Sequence, residues 1–365
     1  MARKRKQISL ELVNKLETIQ VPDTSLLEQY DMFERGGGNS HILFDWVVGN
    51  TCNYSCTYCN PDSYDGSSPW PTLDVFKNFA TVATNYYNSI GRSIRFNLLG
   101  GEMSVWKDFP EALQILKELD SRNVVQWQTN GARSLRWWKK NAYLFDSVLI
   151  SYHAEESDYK HITEVINILN EGGGIDVGLN IMVYPPLADT CFEAAEYIMN
   201  NTPWTFGFGM KALQRQLGID PETFVYEPEI LKRMEHYEKL MYMEDSPRRK
   251  PKHLPPRGFP EPMYWVNKTT GKRVLIPDVS ALTIDGTNTW KGWDCNIGID
   301  KINITDNGKV TSGSSCNHDI HHGNIRFPHK ITFPSQPVVC RYDWCPCGSD
   351  MAVTKNKQRI RWTRP

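Results

Sequence analysis

The chain has 365 residues, 40% of them hydrophobic and 23% charged, which supplies a sizeable core and too little charge bias for a disordered chain. At roughly 150 residues per domain, that length leaves room for about two domains. Lys and Arg number 41 against 42 Asp and Glu, a formal charge of −1, which disfavours a broad nucleic-acid-binding face, and no apolar run approaches the roughly 18 residues of a membrane helix.

Residues 1–39 read as an N-terminal extension. Met1–Lys6 is basic but no apolar stretch follows it, which fits a solvated end rather than a secretory signal. Gly36–Gly38 has no following helix and no Lys-Ser/Thr, so it reads as an approach to the first strand, not a phosphate loop. From 40 to 220, β-rich runs alternate with helical patterns. His41–Val48 is the first strand, and Thr72–Ile90 places Val75, Phe76, Phe79, Val82, Tyr86 and Ile90 at helical spacing. Strands follow at Ser93–Leu99, Val124–Gln128, Ser147–Tyr152, Gly174–Val183 and Thr205–Met210. Helices fall between them at Asp108–Leu119, Leu135–Leu144, Tyr159–Leu169 and Ala188–Asn200. Six such β-runs are the signature of parallel βαβ units, which right-handed crossovers close into either a doubly wound sheet or an incomplete barrel.

Residues 221–290 predict a helix at Glu229–Tyr242, a Pro- and basic-rich linker at Ser246–Pro262, and a hairpin of Tyr264–Val266 and Arg273–Ile276 around Thr270–Gly271. A second hairpin, Ile302–Ile304 with Val310, turns at Asp306-Asn307-Gly308.

Eight of the nine cysteines fall in two groups, and Cys191, alone on a helix, reads as a buried thiol without chemistry. Grouped cysteines in an intracellular chain read as metal ligands. Cys52-Asn-Tyr-Ser-Cys56-Thr-Tyr-Cys59 directly follows a strand. Three thiolates on so short a loop can hold three irons of a cubane and leave the fourth open, where an electron-transfer cluster uses four cysteines. Structural zinc would need a fourth ligand, for which His153 is a candidate. The second group is Cys295-Asn-Ile-Gly298, Cys316, then Cys340-Arg-Tyr-Asp-Trp-Cys345-Pro-Cys347, with His318, His321 and His322 nearby. Its five thiols suit a four-iron cluster with one to spare, or a zinc ribbon.

The triplet, with Tyr58 just before its last cysteine, resembles the cluster loop of the radical S-adenosylmethionine (radical SAM) enzymes. Leu98-Leu99-Gly100-Gly101-Glu102 is similar to that family's Gly-Gly-Glu segment, and Thr129-Asn130-Gly131 to its Thr-Asn-Gly turn. The resemblance implies an incomplete (β/α)6 barrel over 40–220 that binds S-adenosylmethionine (SAM) on a [4Fe-4S] cluster held by Cys52, Cys56 and Cys59. It further implies cosubstrate contacts from Tyr58, from Gly100, Gly101 and Glu102 to the methionyl amino group, from Thr129 and Ser151 to the carboxylate, and from Asn180 to the ribose. Ser-Tyr-His at 151–153 departs from the family's Ser-Leu-Asp.

The order C-x-x-G, hairpin, Cys, Gly323-Asn324-Ile325 resembles the twitch (half-SPASM) module. That implies a small α+β domain over 291–350, a tail over 351–365, and an auxiliary [4Fe-4S] cluster drawn from Cys295, Cys316, Cys340, Cys345 and Cys347. The expected activity is reductive cleavage of SAM to a 5'-deoxyadenosyl radical that takes a hydrogen atom from a peptide or small polar metabolite, in oxidation, epimerisation, cross-linking or rearrangement. A cytoplasmic enzyme fed by a low-potential donor such as flavodoxin or ferredoxin is implied with it. Two alternatives stand: radical modification of RNA or DNA, and a non-catalytic iron–sulfur or zinc protein that holds nucleic acid through its N-terminus and Ser246–Arg257. Trp127, Trp137, Trp138 and Phe208 read as walls of a shielded site or as ordinary core. Lys211 and Arg215 read as partners of an anionic substrate or as a solvated loop.

Overall fold

The computed structural model describes residues 29–36, 40–171, 174–203, 207–216, 220–242, 263–276, 279, 282, 287–315, 320–345 and 347–357. Met1–Lys6, Ser246–Pro262, Cys316 and His318 lie outside the described residues. After β1 (Met32–Arg35), six parallel strands each lead into a helix. They are β2 (His41–Val47), α1 (Leu73–Ser89), β3 (Ser93–Leu99), α2 (Phe109–Leu119), β4 (Val124–Thr129) and α3 (Leu135–Asn141). The series continues with β5 (Ser147–His153), α4 (Tyr159–Asn170), β6 (Asp176–Val183), α5 (Ala188–Asn201) and β7 (Gly207–Ala212), then a ribbon of β8 (Gln214–Gln216) and β9 (Asp220–Thr223), and α6 (Pro228–Tyr242). Helix α1 shows the local logic. Thr72 Oγ1 accepts the Val75 N–H at 3.3 Å as an N-cap, and the buried face is Phe76, Phe79, Ala80, Ala83 and Tyr87. Of the residues expected on it, Phe76 and Phe79 are buried, Val75, Val82 and Tyr86 lie half-buried at its edge, and Ile90 is exposed beyond the last turn.

Strands β2 to β7 lie side by side in chain order. With right-handed crossovers, an unreversed order sends every helix to the same face of the sheet, and it lacks the switch point of a doubly wound sheet. Of the two arrangements open from the sequence, the doubly wound sheet is therefore set aside. Alternation along the strands agrees. Ile42, Phe44 and Trp46, Ile94, Phe96 and Leu98, and Val148, Ile150 and Tyr152 are buried in one core with the helix faces. The opposite face carries Asp45, Asn97, Gln126, Gln128, Ser151, His153 and Asn180. Parallel sheets buried on both faces are apolar on both; this one keeps a polar face for something else.

The C-terminal elements are β10 (Met263–Val266), β11 (Arg273–Ile276), β12 (Asp294–Cys295), β13 (Lys301–Ile304), β14 (Lys309–Thr311), β15 (His321–Asn324), β16 (Val338–Val339), α7 (Gly348–Met351) and β17 (Lys355–Asn356). Both expected hairpins form, as β10–β11 and β13–β14. The second is an extension of the main sheet, because β13 pairs in parallel with β2 and the nine-stranded order becomes β15-β14-β13-β2-β3-β4-β5-β6-β7. A second sheet, β11-β10-β1-β17-β12-β16, draws its strands from the N-terminal extension, the 221–290 segment, the second cysteine region and the tail. Phe33, Trp265 and Trp290 are its core.

A fully buried ion cluster joins the two sheets. Lys301 Nζ lies 2.9 Å from Asp45 of β2 and 2.6 Å from Asp350 of α7, and donates to Ser349 Oγ at 2.6 Å. Burial alone would lower the lysine's pKa, but the two carboxylates hold it protonated.

Candidate active site

The C-terminal ends of β2 to β6 surround one cavity of about 770 Å³, its open mouth included. The loop after β2 supplies one wall. Asn50 shapes that loop: its Nδ2 donates to the Asp62 carbonyl, Asp65 and Ser67, and its Oδ1 accepts the Ser68 N–H. The loop then packs backbone to backbone on the end of β3. A Cβ at Gly100 would stand 2.2 Å from the Gly49 carbonyl oxygen, and one at Gly101 2.1 Å from that of Thr51. Both glycines have positive φ, at +96° and +35°, so any other residue there displaces the cysteine loop.

Cys52, Cys56 and Cys59 all line the cavity, facing Gly101, Thr129, Ser151 and His153 on the neighbouring strand ends. Burial pushes the Cys56 thiol up to about 12 and raises Cys52 and Cys59 as well. No Lys or Arg lines the cavity, so an incoming electropositive group has to stabilise the thiolates. Among the described residues no three His, Cys, Asp or Glu side chains converge on a single-ion position. Three thiols spread along one wall fit the donor set of a cubane cluster, whose irons are each bound separately. His153, the expected fourth ligand for zinc, has its Nδ1 2.7 Å from Tyr58 Oη, with which its ring stacks. Burial pushes the imidazole down to about 4.

The residues singled out in the sequence separate into two sets. Tyr58, Gly101, Thr129 and Ser151 line the cavity, and the Ser151 hydroxyl is not engaged by any described residue. Gly100 lies beneath the cysteine loop, and Asn180 sits one strand position below the lining residue Met182. Glu102 is not in the wall. Its carboxylate accepts from Ser104 N–H and Oγ–H, Thr129 Oγ–H at 2.9 Å and Asn130 N–H at 2.8 Å. Those four donors use the capacity of the carboxylate, so Glu102 braces the ends of β3 and β4 from within. Burial pushes its pKa up, against the pull of the same donors.

Trp127 and Phe208, on β4 and β7, and Trp138, on α3, are buried in the main core, with Trp137 of α3 packed against it, and none of the four lines the cavity. Trp127 and Phe208 lie on the strand face opposite to that of Gln128 and Ser151. Cys191 is fully buried on α5, as expected. Lys211 stands on the polar face of β7, its Nζ folded back to where a Gly209 Cβ would be, beside Asn180 Oδ1. Met182, Leu213, Gln128 and Tyr54 also line the cavity and were not anticipated. For Gln128 and Met182 the two-residue strand period was the available signal.

The second cysteine group is split between two surroundings. Cys295 and Cys345 are buried, which raises both thiols, Cys345 to about 12, and the Lys355 ammonium acts against that shift. Lys355 itself donates to the carbonyls of Met351 at 2.7 Å and Val353 at 3.1 Å, under the Trp290 ring. Cys340 packs beside Cys295. Cys347, just before α7, is different: burial and Asp350 push its thiol up, but Lys301 and the hydroxyls of Ser314 and Ser349 bring it below the usual range. Ser314 Oγ stands 3.1 Å from its sulfur, two positions before Cys316.

Residues 46–196, the stretch that carries the three thiols and most of the strand ends around the cavity, match the Radical SAM superfamily. Over 128 residues the chain is 30% identical to GTP 3',8-cyclase from Haemophilus influenzae, a match that takes in 34% of this chain and 36% of the relative. The chain thus spans about a third of that curated relative's length. Among solved structures it is similar to anSMEcpe with bound AdoMet (14% identity, 78% of each chain, TM-score 0.47). It is also similar to SuiB of Streptococcus suis bound to S-adenosylmethionine (12% identity, 78% of this chain and 63% of that one, TM-score 0.46).

Proposed function

We propose that this chain is a radical SAM enzyme in which Cys52, Cys56 and Cys59 hold a [4Fe-4S] cluster and the remaining cavity holds SAM. The observation that carries the reading is the convergence of the three thiols with Gly101, Thr129 and the uncommitted Ser151 hydroxyl on one cavity. The bound pair would supply reductive C–S cleavage and a deoxyadenosyl radical able to take hydrogen from an unactivated carbon. The chain's own residues do the positioning. The glycine backbone at 100–101 accepts close approach, and Ser151 offers a donor to a carboxylate. Glu102 holds Thr129 and Asn130 in place rather than meeting the ligand. His153, kept neutral by burial, adds no charge to the wall.

The singly wound sheet, its edge strands β15 and β7 unpaired with each other among the described residues, is read as an incomplete (β/α)6 barrel closed on one side by a twitch-type module. That module's cysteines, with Lys355 and Lys301 beside them, are assigned an auxiliary [4Fe-4S] cluster. The polar inner face, which carries Asn180 on β6 and Lys211 on β7, suits a peptide or small polar metabolite as substrate. Oxidation, epimerisation, cross-linking and rearrangement are the outcomes proposed for it, and the similarity to a protein named GTP 3',8-cyclase adds cyclisation to that range. A flavodoxin- or ferredoxin-type donor and a cytoplasmic setting complete the proposal; no described helix is long and apolar enough to cross a membrane.

Anaerobically reconstituted protein should carry about eight irons per chain. Changing Cys52, Cys56 and Cys59 to Ala should leave about four and abolish 5'-deoxyadenosine formation. One zinc with about four irons would replace the auxiliary cluster by a zinc site. A first cluster whose EPR spectrum ignores added SAM, with no adenosine product under strong reductant, would defeat the enzymatic reading.

A further inference from the structure

The last residue of β5 and the turn that follows it grip the cysteine loop at four places. His153 Nδ1 meets Tyr58 Oη at 2.7 Å. Glu155 accepts from Thr57 twice, from its N–H at 2.9 Å and its hydroxyl at 2.7 Å. Glu156 accepts from the Ser55 N–H and hydroxyl, both at 3.3 Å. Ser157 Oγ donates to Tyr54 Oη at 3.5 Å. The order is antiparallel, with 153, 155, 156 and 157 meeting 58, 57, 55 and 54, so the contacts work as one side-chain zipper. Between them it holds the residues that flank Cys56 on both sides. No spacing rule in the sequence marks Glu155 or Glu156, and neither lines the cavity.

We infer that Glu155 and Glu156 are positioning residues that preset the cysteine loop and place two negative charges behind it, making a cluster bound there harder to reduce. The first half follows from geometry. Hydrogen bonds from backbone N–H groups to carboxylates are among the stronger ones, and two of the loop's N–H groups are committed to them. The second half follows from Coulomb's law: carboxylates beside a group that gains an electron disfavour the gain. The charge claim rests on the cluster assignment proposed above; the geometric claim does not.

The test compares two double variants of the full chain, Glu155→Ala/Glu156→Ala and Glu155→Gln/Glu156→Gln. Gln keeps an acceptor at each place and loses the same charge as Ala. In metal-free protein, iodoacetamide labelling of Cys52, Cys56 and Cys59 read by mass spectrometry should run about tenfold faster in the Ala pair than in the Gln pair. Cys191, fully buried, should stay unlabelled in both; its labelling in the Gln pair as well as the Ala pair would show the turn to be a folding element and overturn the inference. Equal labelling of the loop in the two pairs would also overturn it. After reconstitution, the Gln pair should bind iron as the unaltered chain does and show a less negative reduction potential by EPR-monitored titration. An unchanged potential would remove the charge claim. Loss of the cluster from the unaltered chain would instead sink the proposed function and leave the labelling result standing.

Discussion

Replacing Lys301 by Met tests how the two sheets are joined. The ammonium is fully buried and contacts Asp45 and Asp350, themselves almost completely buried. Met fills a similar volume but leaves two carboxylates facing each other without a cation. Asp350 retains the N–H groups of Ser314 and Ser315 and the Ser314 hydroxyl, while among the described residues Asp45 retains the Asn97 amide at 2.7 Å. Removing one partner of a buried pair costs about 3–5 kcal/mol, and here most of that falls on Asp45. The pH dependence has a definite sign. Lys301 is held above its ordinary 10.5, so its contribution is complete at every pH below that value. Asp350 is buried, which acts to raise it, but Lys301 draws it below its ordinary 3.8; its contribution is present above 3.8 and lost as pH falls through the depressed value. Without Lys301 the Asp350 carboxyl loses the cation that draws it down and takes up its proton at higher pH, so the deficit of the variant should shrink as the solution is acidified. Urea unfolding of metal-free protein, followed by tryptophan fluorescence at pH 8 and pH 5, measures both quantities. A loss below about 1 kcal/mol, the range of an exposed pair, or a deficit that grows in acid, would refute the coupled-charge account.

Gly101→Ala puts a methyl group on the Thr51 carbonyl, so, if the two proposed clusters are present, reconstituted protein should lose the irons of the first and keep those of the second, by iron analysis. His41 is held below 6.5 by burial and then by Arg95, Arg35 and Arg92. The folded state therefore loses stability as pH falls from 6.5 toward the lowered value, and His41→Asn should flatten the melting temperature across that interval.

Much of the α/β half was readable because its signals are local. Phe76 to Tyr87 repeat at helical spacing, and Cys52 to Cys59 sit on eight consecutive residues. Beyond its β10–β11 hairpin, the second sheet was not readable, for the opposite reason. Strands β12, β16 and β17 have two residues each, too few for a period, and β1 finds β17 across more than 300 positions. Glu102 looked like a ligand-facing acid by its place after two glycines, and only the positions of Ser104, Thr129 and Asn130 reveal that its acceptors are full. Trp127 could have been assigned to the core from its polar neighbours Gln126 and Gln128, which the strand period places on the other face. The grip of Glu155 and Glu156 depends on a loop about 100 residues away, a relation that no single-chain pattern contains.

The parallel pairing of β13 with β2 has a consequence for biosynthesis. The strand that launches the cysteine loop emerges from the ribosome early, while its partner on that side is translated about 250 residues later. In the interval the nascent β2 presents a bare row of amide and carbonyl groups, the feature by which unfinished sheets recruit foreign strands. A cluster bound as proposed at Cys52, Cys56 and Cys59 would gain a sealed flank only once the β13–β14 hairpin has been made and paired.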